Sequence, residues 1–382
     1  MDKKITAMIA VVIIIGVAIG GALAISQKGD SGDSISIVDG SGKTVTISSP
    51  LKNVAVINSN APKTLIMMGL SDSISCYYYG GNTYNIKCEE LQKTEKDRNL
   101  GTYYTPSVET LLKYDVEAVI CPVSSMTLYS SVEKQCNEVG VKVIRLNCTG
   151  GSILDDMKKI SKLFGEPASA TTVLNKYEES YNAALDAIEK AISDNGGKKY
   201  TFLSAFTSRE AIYNHTSDMS ALLEHLFIDN VTSYTDLSTK GVTNLINDNT
   251  VEKITDEASR VGVVVLRSIS SEDSLSSYKS IYDDMRTSII PNSMTAYTQN
   301  RVFVLNSDLM SGLYAHIGLI ILVKAVYGIS VPGYEDIDKV MNDFQKEFYQ
   351  SVIVDSEILV SQFGASYPDG TASIYYTEPP AA

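Results

Sequence analysis

The chain has 382 residues, enough for two domains at ~150 residues each, either able to bury a full core. Hydrophobic residues at 44% against 20% charged exclude the disordered and fibrous classes. The net charge of −13, from 32 basic and 45 acidic residues, excludes nucleic-acid binding, which needs a net basic face. Tyrosine is the compositional outlier, with 23 Tyr against 8 Phe and no Trp. Its flat apolar ring and polar tip suit wet binding surfaces, or it replaces Phe and Trp in the cores.

In chain order, Ala7 to Ile25 is an uncharged run of 19 residues just after Lys3 and Lys4. That length spans a bilayer core as a helix. The preceding lysines favour a cytoplasmic N-terminus, placing everything after Ser26 outside the cell. Ala22-Leu23-Ala24 also fits a signal-peptide cleavage site, so residues 1–26 read as a membrane anchor or a signal segment, with the retained anchor preferred for its length. Residues 27–34 are small and polar, a flexible tether. The sequons at Asn147, Asn214 and Asn230 agree with an external location. Of the five cysteines (Cys76, Cys88, Cys121, Cys136, Cys148), Cys76 and Cys88 are the disulfide candidates, closing a short loop.

Ile35–Ile47 alternates apolar and polar residues about a Gly/Ser turn, a hairpin pattern. Strand-like runs (Val54–Ile57, Ala118–Cys121, Val143–Leu146) then alternate with helical stretches at Pro62–Met68, Ser107–Tyr114 and Ser152–Phe164. Glu166–Asp194 carries the longest helical periodicity, ended by Asn195-Gly196-Gly197. Afterwards the alternation restarts: strands at Tyr200–Leu203, Val263–Leu266 and Val302–Leu305, helices at Met219–Leu226, Leu275–Ile289, Leu313–Tyr327 and Ile337–Phe348. Short apolar strands alternating with helices imply parallel sheets covered on both faces, hence an α/β fold. Ala365–Ala382 reads as a loose polar tail.

No G-x-S-x-G, P-loop, H-E-x-x-H or G-x-G-x-x-G pattern occurs, so nothing here demands catalysis. Three histidines (His215, His225, His316) are too few for a His-rich metal site, which also counts against a bare divalent-metal receptor. Tyr77, Tyr78, Tyr79, Tyr84, Tyr103 and Tyr104 put six tyrosines in 28 residues of loop-like sequence. In parallel α/β sheets such loops at the carboxyl ends of strands hold ligands. Tyrosines there suit a large planar or ring-bearing one.

Four segments carry a family resemblance: Ile37–Ile47, with Asp39-Gly40 and Lys43-Thr44-Val45; Leu65–Ile74, with Met68-Gly69-Leu70 and Asp72; Gly101–Leu112 running into Asp115–Ile120; and Val302–Asn306. In these the chain resembles the extracytoplasmic substrate-binding proteins of ABC importers, in the helical-backbone class III group that captures iron–siderophore complexes, haem and cobalamin. The resemblance implies two Rossmann-like lobes with parallel sheets (35–165 and 196–355) bridged by one long α-helix (166–195), in a chain whose residues also read as preceded by an N-terminal transmembrane helix and followed by a tail (356–382). It implies a monomeric receptor at the outer face of the cytoplasmic membrane. Its partners would be an ABC permease with its ATPase and a small-molecule metal chelate (an iron chelate, haem or corrinoid), with no intrinsic cofactor. Glu109 and Glu252 match the glutamates expected to dock on permease arginines, a charge-assisted contact. The usual Pro-Asp before the central strand of each lobe is absent, with Tyr114-Asp115 and Ser259-Arg260 in its place. By position, the ligand-binding candidates in lobe one are Asn58, Ser59, Asn60, Tyr77, Tyr78, Tyr79, Tyr103, Tyr104 and Ser124 with Ser125. In lobe two they are Phe206, Arg209, Tyr213, Arg267, Tyr314 and His316, the last also a candidate axial ligand or a plain helix residue. A sensory or adhesion ectodomain reusing the fold without a permease is the alternative.

Overall fold

The computed structural model describes residues 34–57, 60–78, 98–101, 104–123, 130–206, 211–237, 243–268, 274–310, 312–348 and 359–374. The apolar run Ala7–Ile25 and Cys88 lie outside these residues. Among the described residues no helix is long and apolar enough to cross a membrane.

The first half opens with an antiparallel hairpin, β1 (Ile35–Val38) and β2 (Thr44–Ile47), as the alternation predicts. The buried Asp39 carboxylate closes its turn by accepting from the amides of Ser41 and Lys43. Its second oxygen accepts from the Arg145 amide, tying the hairpin to the lobe. Next come β3 (Val54–Val56), α1 (Asn60–Met67), β4 (Ile74–Tyr77), α2 (Val108–Lys113), β5 (Ala118–Cys121), α3 (Ser130–Glu138), β6 (Lys142–Arg145) and α4 (Ile153–Leu163). The strands form a parallel sheet in the order β4-β3-β5-β6. Tyr77, expected in a loop, is instead the last residue of β4, paired with Val56 and buried. The apolar positions Ile74 and Cys76 beside polar Ser75 make this segment a strand rather than a turn.

The predicted long helix is α5 (Ala168–Asp194). Its buried residues Ala170, Leu174, Tyr177, Tyr181, Ala184, Ile188 and Ala191 recur at intervals of 4, 3, 4, 3, 4 and 3, one apolar stripe along 27 residues. Gly196 and Gly197, both at positive φ, stop it, and the Gly197 amide returns to the Ile192 carbonyl.

The second half contains β7 (Thr201–Phe206), β8 (Ala211–Tyr213), α6 (Asp218–Leu223), β9 (Thr243–Leu245), α7 (Asp248–Asp256), β10 (Val261–Ser268), α8 (Leu275–Ser288), α9 (Thr295–Thr298), β11 (Val302–Asn306), α10 (Ser307–Met310), α11 (Ala315–Tyr327), α12 (Ile337–Phe348), β12 (Leu359–Gly364) and β13 (Tyr367–Ile374). The sheet order is β13-β12-β11-β10-β7-β8-β9. Only β7, β10 and β11 are mutually parallel; β8, β9, β12 and β13 add antiparallel edges, so this sheet is mixed rather than parallel. The expected loose tail is corrected in the same way. Residues 367–374 pair with β12, which pairs with β11, so the second sheet extends past residue 355. Phe363, fully buried and stacked on Tyr282 at 4.4 Å, anchors this added hairpin.

Alternate residues of the same strands enter different cores, which is why the strands read as continuous apolar runs. Val54, Val56 and Ile120 on the first sheet, and Phe202, Val263, Val265 and Phe303 on the second, share one core with α4, α5 and α11. Val119, Cys121 and Val143 face a second core, and Leu203, Val264 and Val304 a third. The shared core therefore runs through the bridging helix. At its centre Tyr177 donates its hydroxyl to the Leu313 carbonyl at 2.9 Å, and Tyr181, one turn on, to the Gly150 carbonyl at 3.5 Å. Against them lies the His316 ring, 5.7 Å from Tyr177, 5.3 Å from Tyr181 and 5.4 Å from Phe344. Burial alone pushes the imidazole down to about 3 and Tyr181 up to about 12, so all three groups are neutral at physiological pH.

Two outcomes are expected. Tyr177→Phe removes one buried hydrogen bond and strands the Leu313 carbonyl, which should cost roughly 1–2 kcal/mol in urea unfolding; no loss would show that contact to be energetically idle. The second concerns acid. Below pH 6.5 the unfolded chain protonates His316 while the native ring stays neutral down to about pH 3. Stability should fall with pH across that window by about 1.4 kcal/mol per unit. Replacing the ring by His316→Phe should flatten that part of the stability profile, and an unchanged slope would refute the assignment.

Candidate functional site

The carboxyl ends of the parallel strands are where both halves can present polar groups without breaking a core. In the second half, the pairing of β7 with β10 places Arg267 beside Phe206. The guanidinium carbon sits 5.2 Å from the Phe206 ring centroid, a cation–π distance. The hairpin from β7 into β8 brings back Tyr213, whose hydroxyl accepts from Arg267 Nη1 at 2.9 Å. Arg267 Nε donates to Ser307 Oγ at 2.8 Å, at the start of α10. Two neutral oxygens and one aromatic face thus fix a cation at the ends of β7, β10 and β11. Three of these residues are sequence candidates. Ser307 was missed, although its place directly after an apolar strand is the same signal that marks Arg267.

In the first half, Asn60 begins α1 directly beyond β3 and is buried. It faces Gly312 of the second half, which has φ +86° and where a Cβ would lie 3.1 Å from Asn60 Oδ1. The bare glycine permits this approach between the two halves. Tyr78 donates its amide to the Val56 carbonyl and is half-buried, as is Tyr104. Asn58, Ser59, Tyr79, Tyr84, Tyr103, Ser124, Ser125 and Arg209 lie outside the described residues, so the tyrosine cluster is described at Tyr77, Tyr78 and Tyr104.

Other expectations do not hold. Tyr314 and His316 are 2% and 1% exposed, inside the shared core rather than at a ligand surface. Residues 319–323 of the same helix are an unbroken apolar run, the helix is buried from Ala315 to Val323, and His316 lies inside that stretch. The sequons at Asn214 and Asn230 are also structural. Asn230 is fully buried, with Nδ2 donating to the Tyr213 carbonyl and Ser220 Oγ. Asn214, 1% exposed, accepts from Asn244 Nδ2. Neither amide can carry a glycan in the folded chain. Cys76 is buried in β4, and its expected partner Cys88 lies outside the described residues. Cys121, Cys136 and Cys148 are buried free thiols, with burial pushing Cys121 up to about 12. Among the described residues no group of three or more His, Cys, Asp or Glu is placed to hold a metal ion.

Glu109 and Glu252 are both exposed. Glu109 is the second residue of α2, capped by the Ser107 side chain on the Thr110 amide. Glu252 lies in α7, whose cap Asn247 accepts from the Thr250 amide. Each helix leads directly into a central parallel strand, β5 and β10, so the two glutamates occupy corresponding elements of the two halves.

No protein-family model matches the chain, and no curated protein matches it in sequence. Solved structures do. A periplasmic heme-binding protein from Pseudomonas aeruginosa is 16% identical with a TM-score of 0.54, over 72% of this chain and 93% of that one. The molybdate periplasmic binding protein MolA of a Haemophilus influenzae ABC transporter is 15% identical with a TM-score of 0.58, over 84% and 99%. A protein of an ABC-type Fe3+-hydroxamate transport system from Saccharomonospora viridis is 15% identical with a TM-score of 0.55, over 77% and 99%. At this identity the likeness is one of fold. The chain is a mixed α/β protein with the fold of the periplasmic binding proteins that serve ABC transporters.

Proposed function

We propose that the chain is the substrate-binding receptor of an ABC importer, capturing a metal chelate (an iron–siderophore, haem or a cobalamin-like corrinoid) outside the cell and delivering it to a permease. It performs no chemistry on its cargo. The observation that carries this reading is the Arg267–Tyr213–Phe206–Ser307 corner at the strand ends of a chain with this fold. A guanidinium already held in place by neutral partners is pre-organised to pair with carboxylate or phosphate groups on a ligand, with little side-chain entropy left to lose. The tyrosines at 78, 79, 103 and 104, with Asn58–Asn60 and Ser124, would supply the first half's share, and Arg209 more of the second's. Glu109 and Glu252 would set the docking register on the permease. The compartment follows from the same reading: the apolar segment 1–26 would hold the receptor at the outer face of the membrane.

The chain lacks Trp, so tyrosine emission reports binding of a coloured ligand directly. Titrating the purified full-length chain with ferric siderophores, haemin and cobinamide should show saturable quenching by one class; binding of none removes the reading's main support. Arg267→Ala should weaken that binding roughly 10- to 100-fold, the worth of a charge-assisted contact. Unaltered affinity would move the site elsewhere. Exchanging Glu109→Arg and Glu252→Arg together should leave binding intact and abolish uptake by cells. Uptake at the unmodified rate would favour an ectodomain without a permease.

A further inference from the structure

Away from the Arg267 corner, one carboxylate joins the two halves. Asp218, the first residue of α6, accepts from the Thr149 hydroxyl at 2.5 Å and from Asn147 Nδ2 at 3.4 Å, both through Oδ2. Thr149 and Asn147 belong to the first half, in the segment leaving β6. Asp218 Oδ1 takes the Met219 amide at 2.9 Å, which fixes the carboxylate's orientation. The approach depends on Gly150 and Gly151. A Cβ at Gly151 would stand 3.0 Å from the Asp218 carbonyl and 3.4 Å from the Ala221 Cβ. Gly150, at φ +46°, lies in the region where a side chain is strained.

Polar networks lie on both sides of Asp218. In the first half, Asn147 Oδ1 accepts the Val123 amide at 2.9 Å, directly before the candidate Ser124. In the second, the Ser217 side chain caps α6 on the Ser220 amide. Ser220 Oγ and the Tyr213 carbonyl are both held by the fully buried Asn230 amide group. Tyr213 is the residue that holds Arg267. Asp218 is therefore hydrogen-bonded toward the edge of the first half's candidate loop, and its chain neighbour Ser217 belongs to the network that holds the Tyr213 backbone.

We infer that Asp218 is a positioning residue for ligand capture: its bonds to Thr149 and Asn147 set the separation of the two halves and register the Arg267 corner against Val123, just beyond β5. The part about capture rests on the receptor reading; the part about separation does not. Because the Thr149 hydroxyl and the Asn147 amide are the donors, an uncharged carbonyl oxygen in the Oδ2 position keeps the bonds between the halves, at the expense of the Oδ1 bond from the Met219 amide.

The test is the distance between the halves in the ligand-free full chain. Spin labels attached through an introduced ketone amino acid at the exposed positions 134 and 284 report it by pulsed electron–electron resonance. A narrow distribution is expected in the parent chain. Asp218→Ala and Thr149→Val should each broaden it toward longer distances, the pair together no more than either alone, and Asp218→Asn should preserve it. Thr149→Val, nearly isosteric, keeps the test decisive if Asp218→Ala fails to fold. Distributions like the parent's in both Asp218→Ala and Thr149→Val overturn the inference, as does Asp218→Asn broadening like Asp218→Ala. With haemin as probe, Thr149→Val should bind about 5- to 10-fold more weakly. Unaltered haemin affinity beside a broadened distance overturns the role in capture alone. If the parent chain does not bind haemin, haem is excluded as the cargo and the distance still decides the latch.

Discussion

The architecture depends on one helix that joins two sheets in a single core. Tyr177 and Tyr181 are one turn apart on α5, yet the first donates to a carbonyl of the second half and the second to a carbonyl of the first. Between them the His316 ring fills space that no charged group could occupy, since burial there drives imidazole to its neutral form. The apolar stripe along α5 makes the two sheets parties to a single hydrophobic core. Separating the halves would expose that core and break both tyrosine bonds. A pair of extended linkers would impose neither cost.

The rigidity of this arrangement bears on recognition. When a bridging element resists bending, the distance between the strand ends of the two sheets is set largely by the resting fold, and selectivity falls to the side chains displayed there. The Asn60–Gly312 and Asp218–Thr149 contacts further limit relative movement, each depending on a glycine that lets backbone approach backbone or side chain. Pre-organisation of this kind lowers the ordering cost of binding, at the expense of adaptability.

Much of this was legible in the residues, and the remainder was obscured for identifiable reasons. The parallel strands β3, β5, β6, β7, β10 and β11 announce themselves because strands buried on both faces read as apolar runs. The spacing of Leu174, Tyr177, Tyr181 and Ile188 gave α5 nearly to the residue. The edge strands β8, β9, β12 and β13 did not stand out. β8 and β9 are only three residues long, β12 and β13 mix Ser, Gln, Thr and Gly with apolar residues, and antiparallel pairing with a distant strand leaves no local signature. Tyr77 was misread because three consecutive tyrosines before Gly80-Gly81 look like loop, whereas burial beside Val56 is a tertiary fact. The Arg267 corner was half visible: Phe206, Tyr213 and Arg267 follow from strand ends, but their meeting depends on the sheet register and on a hairpin whose turn lies beyond the strand pattern.

The contrast between Arg267 and His316 shows why residue type alone cannot place a binding site. Both are ionisable, and the sequence offers both as ligand-binding candidates. Burial separates them. His316 is 1% exposed inside a ring of aromatic side chains, and its neutral form is the only one that site tolerates. Arg267 stays partly exposed at a strand end, where its charge is shared between water, an aromatic face and two hydroxyls. A guanidinium cannot shed its proton in response to burial as an imidazole can, so its position must provide polar partners in every state of the protein. The strand ends meet that requirement and the core does not. Burial by the bridging helix therefore selects which of the sequence's candidates remain at a surface where a ligand could reach them.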